Sequence, residues 1–288
     1  MTTTAADPEE SATLEPRATL SPSRAGDFLA CPLLYRFRTV DRLPQRPSPD
    51  ATRGTLVHKV LEDLFDLPAA ERTLEAAADL IEPSWSTLLE LEPELATMFP
   101  EPEALGAWLE TGRLALTRYF ALEDPRLLEP HDRELYVEAP AADDLILRGV
   151  IDRVDVAPDG AVRIVDYKTG RAPRVGHETR ALFQLKFYGL LLWRTRGVLP
   201  RRLQLIYLGD GEIITYDPDE QDLLATERKA RAIWEAISIA HETGDWQPSK
   251  GPICRWCDHQ ALCPAYGGTP PPLPTKDPAA RDRAAPAE

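Results

Sequence analysis

Apolar residues recur along this chain at two spacings, one typical of strands and the other typical of helices. Alternation of apolar and polar residues predicts strands at about 134–139, 144–156, 161–168, 203–208 and 212–216. Helical spacing predicts a helix from Ser21-Pro22 to Cys31-Pro32, and further helices at about 53–65, 71–91, 101–122, 178–196 and 218–242. Three strands followed by a helix and another strand predict one α/β domain.

The two ends of the chain differ in composition from its middle. Residues 1–18 are polar and residues 267–288 are rich in Pro and Ala, which predicts disordered tails around a folded domain at 19–266. The first residues lack the apolar run of a secretory signal, and no stretch approaches eighteen apolar residues. We therefore expect a cytoplasmic protein with no membrane association. No G-x₄-G-K-[S/T] phosphate loop is present, so a helicase motor is not expected in this chain.

Two carboxylates and a lysine lie in the predicted strands near the middle of the chain. Asp152 precedes the triplet Asp166-Tyr167-Lys168 by fourteen positions, with the turn signal Pro158-Asp159-Gly160 between them. Residues two apart in a strand share a face, and a hairpin would bring Asp152 beside Asp166 and Lys168. Paired carboxylates suit Mg²⁺ or Mn²⁺, and a nearby lysine can orient a water and offset phosphate charge. The pattern favours a phosphodiester-cleaving site, although an isolated triplet also describes an ion pair on a solvated strand.

Two predicted helices carry polar pairs at a spacing of four residues, which makes the partners neighbours along the helix. His58 and Glu62 lie at the margin of an apolar stripe in residues 53–65, and Gln184 and Tyr188 lie in the apolar segment 181–193. Each pair taken alone also fits ordinary half-buried polar residues.

Taken in order, the segments GTxxHxxLE, GxIDRxD, IVDYKTG and QxxxY resemble the RecB-type branch of the PD-(D/E)XK nuclease superfamily, from about Ser21 to Tyr266. That branch includes nuclease domains of bacterial recombination helicase–nucleases and CRISPR-adaptation nucleases. The resemblance implies a restriction-endonuclease-like α/β fold, with a mixed central sheet flanked by helices and a helical insert at about 66–130. It implies a metal site and its neighbours: the ligands His58, Asp152, Asp166 and the Tyr167 carbonyl, the catalytic Lys168, and Gln184 and Tyr188, which contact substrate or support catalysis.

The four cysteines of the chain form a pattern of one plus three: Cys31, then Cys254, Cys257 and Cys263 in the spacing C-x₂-C-x₅-C. Disulfides are not expected in a reducing cytosol, so the pattern favours a metal centre. Structural zinc sites more often use two close pairs. The pattern resembles the iron–sulfur clasp of part of this nuclease family, in which a [4Fe–4S] cluster joins the N-terminal helix to the C-terminal end. Zinc remains the alternative.

The formal charge of the chain is −14, but the charge is unevenly distributed. Residues 163–202 carry a net charge of +8 and residues 24–59 a net charge of +4, whereas residues 60–162 carry −17. Because the basic stretches contain the candidate site, they predict a local groove that follows DNA phosphates. The predicted contacts are Arg171, Arg174, Arg180 and Lys186. The alternative is that these charges only solvate the surface.

The function expected from these features is a metal-dependent DNA nuclease, an exonuclease acting on single strands or DNA ends in repair or recombination. A separate helicase or repair subunit is the candidate protein partner. One alternative is a non-catalytic DNA-binding or scaffold subunit of a helicase–nuclease complex. Retention of every acid and of the lysine in the motifs disfavours it. The other alternative is a CRISPR-adaptation nuclease, although typical members are shorter and lack so long an acidic insert.

Overall fold

The computed structural model of the protein describes residues 18–142, 144–174 and 178–274. Its strands are β1 (Ala18–Leu20), β2 (Asp132–Ala142), β3 (Leu145–Val156), β4 (Val162–Lys168), β5 (Arg202–Tyr207) and β6 (Glu212–Tyr216). Its α-helices are α1 (Pro22–Ala30), α2 (Pro32–Tyr35), α3 (Pro49–Leu64), α4 (Leu74–Asp79), α5 (Ile81–Leu91), α6 (Pro102–Leu122), α7 (Thr179–Arg196) and α8 (Glu220–Thr243), and a π-helix spans Arg36–Val40.

The six strands form one mixed sheet in the order β1-β3-β4-β5-β6, with β2 also paired to β3. The β1–β3 and β4–β5 pairs are parallel and the others are antiparallel. Since β2 takes one edge of β3, β1 and β4 share the other edge, at residues 145–147 and 153–156 of β3 respectively. The last β3–β4 pair is Arg153 with Val165, so β3 and β4 separate immediately beyond it. Asp152 lies at this point of separation.

Helices cover both faces of the sheet and form two apolar cores. Residues of α1, α7 and α8 pack on one face, and residues of α3 to α6 pack on the other. Strand β4 shows why: Ile164 belongs to the first core, whereas Val165 and Tyr167 belong to the second. Alternate residues of a strand point to opposite faces, so a strand covered on both sides is apolar throughout. This arrangement confirms the predicted mixed sheet flanked by helices.

The predicted helical insert contains α4, α5 and α6, which pack on α3. Its centre is an aromatic cluster in which the rings of Trp85 and Trp108 lie 5.1 Å apart. The single helix predicted at 71–91 is interrupted at Leu80, between α4 and α5. Pro83 explains the break, because proline lacks an N–H and is tolerated only in the first turn of a helix.

The predicted tails differ from the structure in one respect. Residues 267–274, expected to belong to a disordered tail, pack against the domain: the Arg36 guanidinium donates a hydrogen bond to the Pro271 carbonyl, and Leu273 packs on the core near Gly244. Residues 1–17 and 275–288 lie outside the described residues. Strand β1 was not predicted, because three residues are too few to show a period of two. Among the described helices, none is long and apolar enough to span a membrane.

Candidate metal and catalytic site

The separation of β3 from β4 brings together the predicted ligands His58, Asp152 and the Tyr167 carbonyl. Helix α3 begins at the Ser48 cap and carries His58 toward the sheet. The Nε2 atom of His58 lies 3.0 Å from the Tyr167 carbonyl oxygen, and its Nδ1 lies 3.5 Å from Oδ2 of Asp152. The Tyr167 backbone N–H donates to the same Asp152 oxygen at 2.7 Å. These three groups therefore form one compact set of nitrogen and oxygen donors.

Asp166 and Lys168 point to the side of β4 that faces α7. Asp166 is 1% exposed, and burial raises the pKa of its carboxyl to about 6, against the opposing charge of Lys168. Its Oδ2 lies 2.6 Å from Lys168 Nζ, and the positive charge of this ammonium lowers the pKa of the buried carboxyl.

Helix α7 supports the lysine through two of the predicted residues. Lys168 Nζ donates to Oε1 of Gln184 at 3.0 Å, and Gln184 Nε2 donates to the Tyr188 hydroxyl at 2.9 Å. Burial raises the pKa of Tyr188, so its phenol stays protonated. The Tyr188 ring lies against Gly149 of β3, where an added Cβ would be 2.7 Å from Cε1 of the ring. Lysine, amide and phenol thus form a chain of hydrogen bonds between β4 and α7.

Glu134 of β2 belongs to the site but was not predicted. The β2–β3 register pairs Arg133 with Arg153 and Leu135 with Ile151, so Glu134 lies opposite Asp152. His58, Glu134 and Asp152 each offer a ligand atom, and these atoms all lie within 4.8 Å of one another. Burial and the charge of Asp152 raise the pKa of Glu134 to about 7.

The backbone of Glu134 is unusual as well. Its φ is +43°, in the left-handed region that non-glycine residues seldom adopt, and such positions occur often at functional sites. The sequence signal for Glu134 is weak, because an acid in a predicted strand gains meaning only when the pairing register with Asp152 is known.

The donor set fits a hard divalent cation. Three carboxylates, one backbone carbonyl and one imidazole are the ligands of Mg²⁺ and Mn²⁺ sites, and the imidazole favours Mn²⁺. Burial is the largest cause of the raised pKa values of Glu134 and Asp166, and the charge of Asp152 raises both further. A bound cation would favour the ionised form of these carboxyls.

The predicted DNA contacts separate into two groups. Arg171 and Arg174 are exposed on the segment that follows β4, and Arg180 is exposed in the first turn of α7. The segment after β4 is anchored, because the Gly209 N–H donates to the Gly170 carbonyl at 3.0 Å. Lys186 differs: its Nζ lies 2.9 Å from Oδ1 of Asp222 and 2.9 Å from the Tyr216 hydroxyl. The Lys186 ammonium therefore has two intramolecular partners.

All four cysteines line one pocket between α2 and the C-terminal segment. Cys31 is separated from Cys254, the nearest of the other three in sequence, by 223 positions. Backbone N–H groups point at two of the sulfurs: Ser249 donates to Cys31 at 3.3 Å and Gly251 donates to Cys254 at 3.5 Å. The hydrogen bond from Gly251 is the largest cause of a lowered pKa of the Cys254 thiol. This donor therefore favours the thiolate of Cys254, whereas burial raises the pKa of the Cys257 thiol.

The spacing of the thiols bears on which metal group they fit. A zinc ion bound at about 2.3 Å by each sulfur requires sulfurs about 3.8 Å apart. Among the described residues, which include all four cysteines, no three cysteine sulfurs lie within 4.8 Å of one another. As described, the thiols are not arranged as the ligands of a single zinc ion.

Three comparisons relate the chain to known proteins. Its sequence matches the PD-(D/E)XK nuclease superfamily over residues 19–264. It is 25% identical over 287 residues to the Gene 69 protein of Mycobacterium phage D29, covering 85% of this chain and 96% of that protein. The Gene 69 protein of Mycobacterium phage L5 is 24% identical over 286 residues, with the same coverage of both chains. Neither name states an activity.

A crystal structure of a protein from Eubacterium rectale, named "Putative exonuclease", superposes with a TM-score of 0.55. The superposition covers 89% of this chain and 92% of that chain at 14% identity, so it concerns the fold alone. The superfamily match includes strands β2 to β6 and the residues His58, Asp152, Asp166 and Lys168. The chain therefore belongs to the PD-(D/E)XK nuclease superfamily.

Proposed function

We propose that this protein is a divalent-metal-dependent DNA nuclease that acts as an exonuclease on single strands or DNA ends, in repair or recombination. The observation that carries the proposal is the convergence of His58, Glu134 and Asp152, whose ligand atoms lie within 4.8 Å of one another, next to the Tyr167 carbonyl. The Asp166–Lys168 pair lies beside them, where β3 and β4 separate. Glu134 completes the acidic side of the site. Membership of a nuclease superfamily supports hydrolysis of phosphodiester bonds as the reaction.

Different residues of the site have different proposed roles in hydrolysis. His58, Glu134, Asp152, Asp166 and the Tyr167 carbonyl would hold Mg²⁺ or Mn²⁺, which when bound polarises the phosphate and lowers the pKa of a coordinated water. Lys168 offers a positive charge and hydrogen-bond donors next to the carboxylates. In the proposal it orients the attacking water and offsets charge that develops on the phosphate. Gln184 and Tyr188 hold the ammonium in place.

Arg171, Arg174 and Arg180 are the proposed contacts to the phosphates on either side of the cut. All three are exposed, and they follow β4 and begin α7, the two elements that carry Lys168 and Gln184. Guanidinium groups bind phosphate oxygens in a bidentate manner. Lys186 is left out of this set because Asp222 and Tyr216 already engage its ammonium.

We further propose that the cysteines hold a [4Fe–4S] cluster and that the protein belongs to the RecB-type branch. Support comes from the four thiols that line one pocket and from the N–H donors at Cys31 and Cys254. Zinc is the competing occupant.

Digestion of end-labelled DNA tests the proposed activity. Linear single strands, blunt duplexes and covalently closed single-stranded circles are incubated with Mg²⁺ or Mn²⁺, in parallel with the Asp166→Ala protein. An exonuclease shortens the linear strands from an end and leaves the circles intact, and Asp166→Ala is inactive. Cutting of the circles would show that the protein acts as an endonuclease instead of an exonuclease. Absence of metal-dependent cleavage of every substrate would remove the proposed function.

A further inference from the structure

The candidate site opens into a cleft whose lining combines polar and apolar parts. Helix α3 contributes a polar wall, and β4 and β5 contribute the floor beside Lys168 and Tyr207. The last turn of α5, in the helical insert, contributes an apolar part of the lining through Leu88 and Leu91. Leu88 is 5% exposed, whereas Leu91 is 72% exposed. A largely exposed leucine therefore lines the cleft beside the candidate site.

The charged side chains that line the cleft itself can neutralise few phosphates. Its lining contains two lysines, and each is paired: Lys59 Nζ lies 2.7 Å from Asp63 and 3.2 Å from Glu62, and Lys168 Nζ lies 2.6 Å from Asp166. The lining acids are Asp50, Glu62 and Glu134. A phosphate can therefore be neutralised at the metal and Lys168, but a second DNA backbone would face carboxylates.

The leucine part of the lining is equally unsuited to phosphate. Helix α5 ends at Leu91, and the carbonyl end of a helix carries partial negative charge, which repels anions. The side chains of Leu88 and Leu91 offer no hydrogen-bond donor. What these leucines can bind is an apolar surface. In a nucleic acid that surface is the face of a base, and it is accessible only where the base is unpaired and unstacked.

We infer that Leu91, backed by Leu88, is a binding subsite for an unpaired nucleobase of the strand that is cut, and that this subsite makes the cleft selective for single strands. The inference rests on the proposed nuclease function and specifies its substrate. The strand crosses the metal site once with its backbone and packs a neighbouring base on the insert. A duplex is disfavoured twice, because its bases are stacked and its second backbone meets Asp50 and Glu62.

The test measures binding and cleavage separately for two leucine variants. Leu91→Ala removes the subsite, and Leu127→Ala is the matched control, since Leu127 is also on the insert and is 82% exposed but does not line the cleft. Binding of a labelled oligothymidylate is followed by fluorescence anisotropy with Ca²⁺, with a gel to check that no product forms. Leu91→Ala should raise the Kd for the single strand about tenfold, the loss expected from one leucine contact. Leu91→Met should largely restore binding, and Leu127→Ala should match wild type.

A single abasic position, moved along the oligonucleotide, distinguishes contact with a base from contact with sugar or phosphate. At one position it should weaken binding by wild type about as much as Leu91→Ala does, and it should have no further effect on the Leu91→Ala protein. Additive losses at every position, or a Leu91→Ala protein that binds like Leu127→Ala, would overturn the inference.

Cleavage by the same proteins separates this inference from the proposed function. With Mg²⁺ or Mn²⁺, Leu91→Ala should raise KM for single strands with little change in kcat, because it leaves the metal ligands and Lys168 in place. A wild type that binds single strands through Leu91 but cleaves nothing would remove the nuclease proposal and keep the subsite. If the wild type cleaves DNA and Leu91→Ala is indistinguishable from the control, the nuclease proposal is kept and the subsite is removed. A wild type that neither binds nor cleaves DNA would remove both.

Discussion

Lys168 Nζ and Gln184 Oε1 lie 3.0 Å apart and join the end of β4 to the middle of α7. A lysine held by an amide and a carboxylate has a fixed position for its ammonium. We therefore expect Lys168→Ala to abolish cleavage with the fold intact. Lys168→Arg should also be severely impaired, because the planar guanidinium fork cannot replace a compact ammonium at this distance.

Single-turnover rates on a linear single strand, with circular dichroism to confirm folding, measure both variants. Lys229→Ala is the control, since Lys229 is an exposed lysine of α8 whose Nζ lies over the Phe183 ring. A Lys168→Arg protein that cleaves at the wild-type rate would show that this lysine is not catalytic.

His58→Ala should change the metal requirement more than the stability of the protein. His58 is held by the Tyr167 carbonyl and faces Asp152, so its loss removes one donor from the set. We expect the metal concentration for half-maximal activity to rise about 10–100-fold. A titration with Mn²⁺ measures this shift. Superimposable curves for wild type and variant would mean that the histidine is only a packed polar residue.

The stability of the metal-free protein should fall as pH rises toward neutrality. Burial raises the pKa of Asp166 to about 6 and that of Glu134 to about 7, above their ordinary values near 4. The folded protein thus holds these two protons more tightly than the unfolded chain. Their stabilising contribution is complete below about pH 4 and is lost as pH rises through about 6 to 7.

A divalent cation should reverse this trend, because it binds the ionised carboxylates. Adding Mn²⁺ is expected to raise the Tm more at about pH 8 than at about pH 5. Differential scanning calorimetry in EDTA and in Mn²⁺ measures the difference, and Glu134→Gln should reduce the pH dependence of the metal-free protein. An equal gain in Tm at both pH values would contradict the assignment of these acids to the metal site.

Anaerobically purified protein should be brown and contain about four irons per chain. Cys31→Ser should lose the colour and lower the Tm, because the proposed cluster closes a very long loop between α2 and the C-terminal segment. Iron analysis, visible absorption and thermal melting test this prediction. Colourless protein with one zinc per chain would refute the cluster, and unchanged iron with an unchanged Tm in Cys31→Ser would refute the role of Cys31.

The placement of Asp166 and Lys168 on one strand face was predictable from the two-residue period of a strand. The role of His58 as a ligand was not predictable from its helical period and was implied only by the family resemblance. Glu134 was not predictable in this way. Its place depends on the register between β2 and β3 and on a left-handed backbone, and neither is encoded in a local pattern.

The differences elsewhere have similar causes. Lys186 was predicted to contact DNA because it lies in a basic segment. In the structure its ammonium pairs with Asp222 of α8. Residues 267–274 have the composition of a disordered tail, yet Leu273 packs against the core and the Pro271 carbonyl accepts a hydrogen bond from Arg36. In both cases a partner distant in the sequence decides the outcome, and a single chain read by its local pattern does not reveal that partner.

The separation of β3 from β4 makes the acids of the site unequal in what they do for the fold. Asp152 Oδ2 accepts the Tyr167 N–H that a paired strand would otherwise satisfy, so this side chain replaces a missing rung of the backbone ladder. The Lys168 ammonium, in contrast, contacts the side chains of Gln184 and Asp166 and satisfies no backbone group among the described residues. A lineage that no longer needed cleavage could lose the lysine and keep its sheet, whereas loss of Asp152 would also leave a backbone donor without its partner. Drift away from catalysis should therefore begin at the lysine.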